Sequence, residues 1–131
     1  MSERLLFRGG RVIDPITGMD AVRDVLVEGG RIAGMGESGG RPSDVEIVDC
    51  TGLIVSPGLV DMHTHLREPG FEHKETIESG TRAAALGGYT AVAPMANTDP
   101  AADHAGVIHE IRDLASAAGL CDVFPVGAIT K

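Results

Sequence analysis

The spacing of apolar residues over the first 56 positions is typical of β-strands. Short apolar or alternating runs lie at Arg11–Ile13, Val25–Val27, Arg31–Ala33 and Val45–Val48. The pair Gly29-Gly30 separates the second run from the third, and such a pair favours a tight hairpin because glycine accepts a positive φ. Residues 36–42 are predicted to be a loop. We predict that residues 1–56 are the N-terminal part of a small β-sandwich domain and carry no catalytic residues.

From residue 57 onward, strand-like and helix-like patterns alternate. The apolar run Leu53–Val60 predicts a buried strand at the start of this part. The segment Ile77–Leu86 is rich in alanine, which favours a helix, and Gly87-Gly88 is a suitable helix end. The next strand is predicted at Tyr89–Ala93.

A second helix is predicted after Asp103, which is a suitable N-terminal cap. Its apolar residues have the spacing of one buried helix face: Val107, Ile108, Ile111, Leu114, Ala115 and Ala118. Gly119 is predicted to end this helix, and Val123–Ile129 predicts a third strand. Alternation of this kind indicates parallel strands with helical crossovers. We therefore predict an α/β fold in which residues 57–131 form the first three β/α units of a (β/α)8 barrel.

The predicted barrel is incomplete in this chain. A complete (β/α)8 barrel takes about 250 residues, whereas the sequence has 131 residues and at most three of the eight strands. We expect the natural chain to continue beyond Lys131.

Composition narrows the classes of protein to which the chain can belong. Hydrophobic residues make up 43% and charged residues 23%, as in an ordinary folded protein. The formal net charge of −8 argues against nucleic acid as a partner, because phosphate binding needs a basic surface. Cys50 and Cys121 form no C-x-x-C pair, so we predict two reduced, mostly buried thiols. No secretion signal or membrane span of roughly 20 apolar residues is evident, and we expect a cytoplasmic protein.

The most informative motif is His63-Thr64-His65, at the end of the first apolar run of the barrel part. Residues i and i+2 of a strand project from the same face, so both imidazoles would point at one place. Neutral imidazole nitrogen is a good zinc ligand, and two histidines leave positions open for a carboxylate and a water. Arg67 adds a planar guanidinium that can hold a carboxylate through two parallel hydrogen bonds. The pattern predicts metal-assisted hydrolysis of a small anionic substrate.

Each of these residues also has a purely structural interpretation. The H-x-H triplet can be a solvated strand end, and Arg67 can be a surface ion-pair partner of Glu68. Asn97 can be a turn residue. Asp61 is predicted to support the strand end through a hydrogen bond. Surface or helix positions without a ligand role are predicted for His73, His104 and His109.

The segment Asp61–Gly70 resembles the amidohydrolase superfamily and, within it, the bacterial dihydroorotases. The resemblance continues through the segments Glu72–Thr76, Gly80–Gly88, Met95–Pro100 and Pro125–Lys131. Family members often carry proline where this chain has Ala96, a difference that we expect to affect only the turn before Asn97.

The resemblance implies a zinc-dependent enzyme that interconverts N-carbamoyl-L-aspartate and (S)-dihydroorotate in pyrimidine biosynthesis. His63 and His65 would be ligands of one or two zinc ions, and Arg67 and Asn97 would bind the substrate carboxylate. The family's carboxylate ligand, two further histidines and a proton-transferring aspartate would lie beyond Lys131. We therefore expect no catalytic residue within this chain and no activity from it alone.

Two other interpretations stay open. Allantoinases and hydantoinases share the H-x-H strand, but their uncharged ring substrates would not need Arg67 together with Asn97. A non-catalytic dihydroorotase-like subunit that scaffolds aspartate transcarbamoylase is the other alternative. The presence of His63 and His65 argues against it, and the absence of the family's later ligands from this chain keeps it open. The partners implied by the resemblance are the small anionic substrate and either a second copy of the protein or aspartate transcarbamoylase.

Overall fold

The computed structural model describes residues 4–37 and 44–130, which divide into two compact units, Met1–Pro57 and Gly58–Lys131. Predicted features at residues 1–3, 38–43 and 131, including most of the predicted loop 36–42, lie outside the described residues. No helix among the described residues is long and apolar enough to cross a membrane.

The first unit contains one described sheet. Its strands are β1 (Arg4–Asp14), β2 (Met19–Glu28), β3 (Arg31–Gly36), β4 (Glu46–Asp49) and β5 (Ile54–Val55). The order is β3-β2-β1-β4, and β5 also pairs with β1. The β1–β2 and β2–β3 pairs are antiparallel, whereas β4 and β5 run parallel to β1. A second sheet layer is not seen among the described residues, so the β-sandwich stays a prediction.

The hairpin predicted at Gly29-Gly30 is confirmed, with φ of 55° and 73° at the two glycines. Two details of the first unit differ from the prediction. Strand β1 begins at Arg4, well before the run Arg11–Ile13, and ends at Asp14, because most of its residues pair with β2. Gly36 belongs to β3 rather than to the following loop, since it pairs with Asp24 of β2.

The second unit alternates strands and helices, as predicted. Its elements are β6 (Leu59–Thr64), α1 (Ile77–Leu86), β7 (Tyr89–Pro94), α2 (Ala105–Ala118) and β8 (Asp122–Val123). The three strands form one parallel sheet in the order β6-β7-β8. The predicted α/β class is therefore confirmed, and the closed barrel stays a prediction.

The core of this unit lies between the two helices and β7. Its buried members are Leu66, Ile77, Val92, Ala102, Val107, Ile111 and Ala115. The predicted apolar face of α2 is confirmed, because its members are buried or partly buried against this cluster. Gly119 ends α2 in the left-handed conformation, with φ of 61°. The end of α1 at Gly87-Gly88 is likewise confirmed.

The single buried strand predicted from Leu53 to Val60 is wrong. The run is divided between two sheets: Val55 pairs with β1, and Leu59 begins β6. Pro57 lies between the two strands and has no N–H to continue a ladder. Strand β6 is also largely exposed in the described chain, because α1 packs on β7 and α2 on β8.

Two other predicted boundaries in this unit are wrong. The third strand is confined to Asp122–Val123, although the N–H groups of Phe124 and Val126 still donate to the carbonyls of Val92 and Pro94 of β7 at 2.9 Å each. The cap of α2 is His104 rather than Asp103: the extended backbone of His104 brings its ring nitrogen Nδ1 to 3.1 Å from the N–H of Gly106. An imidazole nitrogen thus replaces the carboxylate oxygen that the sequence suggested.

Candidate functional site

The predicted site residues lie at the carboxyl ends of β6 and β7. His63 is the second-last residue of β6, His65 directly follows the end of that strand, and Asn97 lies three residues after the end of β7. Because β6 and β7 are parallel neighbours, these ends meet at one edge of the sheet. This is the edge at which open or closed α/β sheets collect their ligands.

The two histidine rings lie side by side. Their ring centres are 5.3 Å apart, and the ring planes make an angle of 69°. Two imidazoles that share one tetrahedral ion through bonds of about 2.0–2.1 Å have ring centres roughly 5 Å apart, so this separation fits a shared ion. The carboxylate of Asp61 accepts a hydrogen bond of 2.9 Å from the N–H of His63, which is the supporting role predicted for it.

Asn97 contacts one of the two histidines directly. Its side-chain Oδ1 lies 3.0 Å from Nδ1 of His65. The structure therefore brings together a predicted metal ligand and a predicted substrate-binding residue that are 32 positions apart in the sequence.

Leu66 anchors the loop that carries the site. Its side chain is 5% exposed and packs in the core of the second unit. A Cβ at Gly80 of α1 would lie 2.6 Å from Cδ2 of Leu66, so a larger residue there would displace the Leu66 side chain. With Leu66 held in the core, its half-buried neighbours His65 and Arg67 lie outside the core.

Arg67 has a backbone conformation that is uncommon for its residue type. Its φ is 65°, in the left-handed region, and its carbonyl accepts a hydrogen bond of 3.0 Å from the N–H of Phe71. Strain of this kind concentrates at ligand-binding positions. No ion pair involves Arg67 among residues 4–37 and 44–130, so its guanidinium is available to a ligand.

The structural interpretation of Arg67 as a partner of Glu68 is not what the structure shows. The carboxylate of Glu68 instead accepts a hydrogen bond of 2.7 Å from the N–H of Ile77, the first residue of α1. A negative charge at a helix N-terminus also interacts favourably with the helix dipole. Glu68 thus ties the loop that carries Arg67 to α1.

We expect Glu68→Ala to loosen the start of α1. Loss of a side-chain acceptor at a helix N-terminus costs about 1 kcal/mol, which corresponds to roughly fivefold faster local opening. Hydrogen exchange of the peptide that begins at Ile77 measures this change. Glu110→Ala is the control, since Glu110 is an exposed acidic residue of α2 and lies outside the first turn of α1. Equal exchange rates in the two variants would contradict the role given to Glu68.

The loops after β6 and β7 are in direct contact. The N–H of Asp99 donates to the carbonyl of Pro69 at 3.0 Å. Gly70 has a φ of 95°, and a Cβ at this position would lie 2.1 Å from the carbonyl oxygen of Asp99. The N–H of Gly70 donates to the carboxylate of Glu72 at 2.7 Å, and this bond lowers the pKa of Glu72 below its usual range.

The histidines outside the H-x-H motif do not join the site. His73 and His109 are exposed, and His104 caps α2. Among residues 4–37 and 44–130, no three or more histidine, cysteine, aspartate or glutamate side chains are grouped so that they could hold a metal ion. The site in this chain is therefore a pair of imidazoles, which fits zinc chemistry and supplies half of a four-ligand set.

A cavity of about 860 Å³ lies at the opposite end of the strands. It is lined by residues at the starts of β7 and β8, among them Tyr89 and Asp122, and by His109 and Arg112 of α2. None of the four predicted site residues lines this cavity.

Several residues that shape the site were not found from the sequence. The helix-start signal Thr76-x-x-Ser79 was visible, and the structure shows both of its reciprocal hydrogen bonds, each 3.0 Å long. Glu68 and Gly70 had no local signal, because their partners Ile77 and Asp99 come close only in the folded chain.

Comparison with known proteins identifies relatives over nearly the whole chain. Residues 52–131 match the model of the dihydro-orotase-like family. The dihydroorotase of Geobacter sulfurreducens is 55% identical over 127 residues, which are 97% of this chain and 30% of that protein. The dihydroorotase of Anaeromyxobacter dehalogenans is 50% identical over 131 residues, which are 100% of this chain and 30% of that protein. The chain thus spans about 30% of the length of these curated relatives.

Solved structures with a similar fold include hydantoinases. L-hydantoinase from Arthrobacter aurescens aligns with a TM-score of 0.82 at 23% identity, over 94% of this chain and 27% of that one. D-hydantoinase from a Thermus species aligns with a TM-score of 0.70 at 29% identity, over 95% of this chain and 27% of that one.

Proposed function

The chain belongs to the dihydroorotase-like family, and from that premise we propose that it serves a zinc-dependent dihydroorotase. Such an enzyme interconverts N-carbamoyl-L-aspartate and (S)-dihydroorotate in pyrimidine biosynthesis. The observation that carries the proposal is the meeting of a histidine pair, His63 and His65, with Asn97 at one edge of the sheet and with Arg67 two residues away in the same loop. We further propose that β6, β7 and β8 are the first strands of a (β/α)8 barrel.

In this proposal each of the four site residues has a defined task. His63 and His65 hold zinc, which when bound lowers the pKa of water toward 7 and polarises a carbonyl. Arg67 binds the substrate carboxylate through its planar fork. Asn97 donates a hydrogen bond to the same carboxylate from its amide nitrogen. Since a four-coordinate zinc needs more than two imidazoles, we propose that residues 1–131 alone do not turn over substrate.

A hydantoinase-type activity is the second candidate. The similarity to the D-hydantoinase from a Thermus species, at 29% identity, favours it. The 50–55% identity to dihydroorotases, together with the available guanidinium of Arg67, favours an anionic substrate instead. Association with a second copy or with aspartate transcarbamoylase stays a prediction, as does a cytoplasmic location.

The test is turnover and metal content of the protein purified at its natural length. We expect bound zinc, turnover of dihydroorotate in one direction and of carbamoyl-aspartate in the other, and loss of both activities on chelation with recovery on adding zinc. Hydantoin and allantoin are the competing substrates. Turnover of these neutral rings without turnover of dihydroorotate would contradict the proposal, and zinc-free protein without any turnover would favour a scaffold role.

A further inference from the structure

The hydrogen bond between Asn97 and His65 restricts which nitrogen of His65 can bind a metal. An amide oxygen only accepts hydrogen bonds, so the nitrogen Nδ1 that faces Oδ1 of Asn97 at 3.0 Å must carry the proton. The lone pair of the neutral ring is then on Nε2. If the Asn97 amide were turned the other way, its NH2 group would donate to Nδ1 of His65. The ring proton would then be on Nε2, and a protonated Nε2 has no lone pair with which to bind a metal.

Backbone hydrogen bonds flank the contact between His65 and Asn97 on both sides in the sequence. Before it, the N–H of Met95 donates to the carbonyl of Thr64 at 2.9 Å; after it, the N–H of Asp99 donates to the carbonyl of Pro69 at 3.0 Å. These two backbone bonds join the β6 loop to the β7 loop on either side of the contact. The backbone segments that carry His65 and Asn97 are therefore held next to each other by the fold.

We propose that Asn97 is a positioning residue that holds His65 in the tautomer with the proton on Nδ1 and so presents Nε2 to the metal. The inference rests on the proposed function and adds a second task to Asn97. The amide oxygen serves the metal ligand, and the amide nitrogen, which has two protons to donate, serves the substrate carboxylate. One side chain thereby fixes the position of the substrate relative to the metal.

The two tasks can be separated by substitution. Asn97→Asp keeps an acceptor for Nδ1–H but replaces the donor with a negative charge, so zinc binding is kept while the KM for dihydroorotate rises. Asn97→Ala removes both groups. Loss of the hydrogen-bond partner of a metal-binding histidine typically weakens metal affinity about 10–100-fold, and we expect a loss in that range for Asn97→Ala.

Thr98→Val is the matched control for damage to the loop. The hydroxyl of Thr98 donates to the carbonyl of Pro100 at 2.8 Å and does not touch His65. Its loss loosens the same loop, and we expect the zinc dissociation constant to stay within about threefold of the wild-type value.

The experiment measures two quantities on the protein at its natural length. Competition with a chelator gives the zinc dissociation constant of each variant. Nitrogen-15 NMR of the imidazoles in the zinc-free protein gives the tautomer of His65, expected with the proton on Nδ1 in the wild type and in Asn97→Asp, and shifted toward Nε2 in Asn97→Ala.

The outcomes separate this inference from the proposed function. Wild-type protein that retains zinc, with the same dissociation constant in Asn97→Ala, overturns the inference alone. A proton on Nε2 of His65 in the zinc-free wild type also overturns it. Wild-type protein that binds no zinc overturns the proposed function and this inference with it.

Discussion

His63→Ala is expected to abolish zinc retention and turnover in the protein at its natural length. Loss of a mere hydrogen-bond partner of a zinc ligand weakens metal binding about 10–100-fold, so loss of a ligand itself should weaken it by more than 100-fold. The ring centres of His63 and His65 are 5.3 Å apart. Of this pair, the variant keeps only His65. Zinc content after dialysis and the rate of dihydroorotate hydrolysis measure the two effects.

The control for this experiment is His109→Ala. His109 lies on the exposed face of α2, where alanine favours the helix, and it is far from the carboxyl ends of the strands. We expect normal zinc content and turnover in this variant. Full activity with normal zinc content in His63→Ala would remove His63 from the metal site and leave the H-x-H triplet as a solvated strand end.

The regular elements of the second unit could be predicted because their signals are local. Helix α1 has the predicted bounds Ile77–Leu86, since its alanine-rich run ends at two glycines. The buried face of α2 follows from the spacing of its apolar residues alone. Such periodicity needs no knowledge of the rest of the chain.

The strand before the site could not be predicted in the same way. Leu53–Val60 contains two short apolar stretches on either side of Ser56-Pro57-Gly58, and the apolar pattern by itself does not show that Val55 and Leu59 pair with different sheets. The one local signal was Pro57, whose missing N–H interrupts a ladder. Sheet membership depends on strands that are distant in the sequence, and the pattern of one run does not report them.

The site was predicted as a set of residues, but the way in which they are held was not. Spacing alone placed His63 and His65 together, because the side-chain period of a strand is two residues. Three features arise from the packing of the β6 loop on α1 and on the β7 loop. They are the left-handed backbone of Arg67, the hydrogen bond that Glu68 accepts from the start of α1, and the hydrogen bond between His65 and Asn97. These contacts decide which way each functional group faces.

Arg67→Lys is expected to raise the KM for dihydroorotate about 10–100-fold and to change kcat much less. A lysine ammonium cannot reproduce the two parallel hydrogen bonds of a guanidinium, and a hydrogen bond to a charged group contributes about 1.5–3 kcal/mol. Because φ at this position is 65°, both residues adopt the same uncommon backbone conformation, so the substitution changes the head group without changing the backbone cost.

Arg82→Lys is the matched control, since Arg82 lies on α1 and pairs with the exposed Glu78 at 2.7 Å. We expect its KM to equal the wild-type value.

The substrate dependence of the Arg67→Lys effect then separates the two candidate activities. A guanidinium that clamps a carboxylate affects the KM of an anionic ring and not that of a neutral hydantoin. An unchanged KM for dihydroorotate in Arg67→Lys would mean that Arg67 does not bind the carboxylate, and the case against a hydantoinase-type substrate would then rest on sequence identity alone.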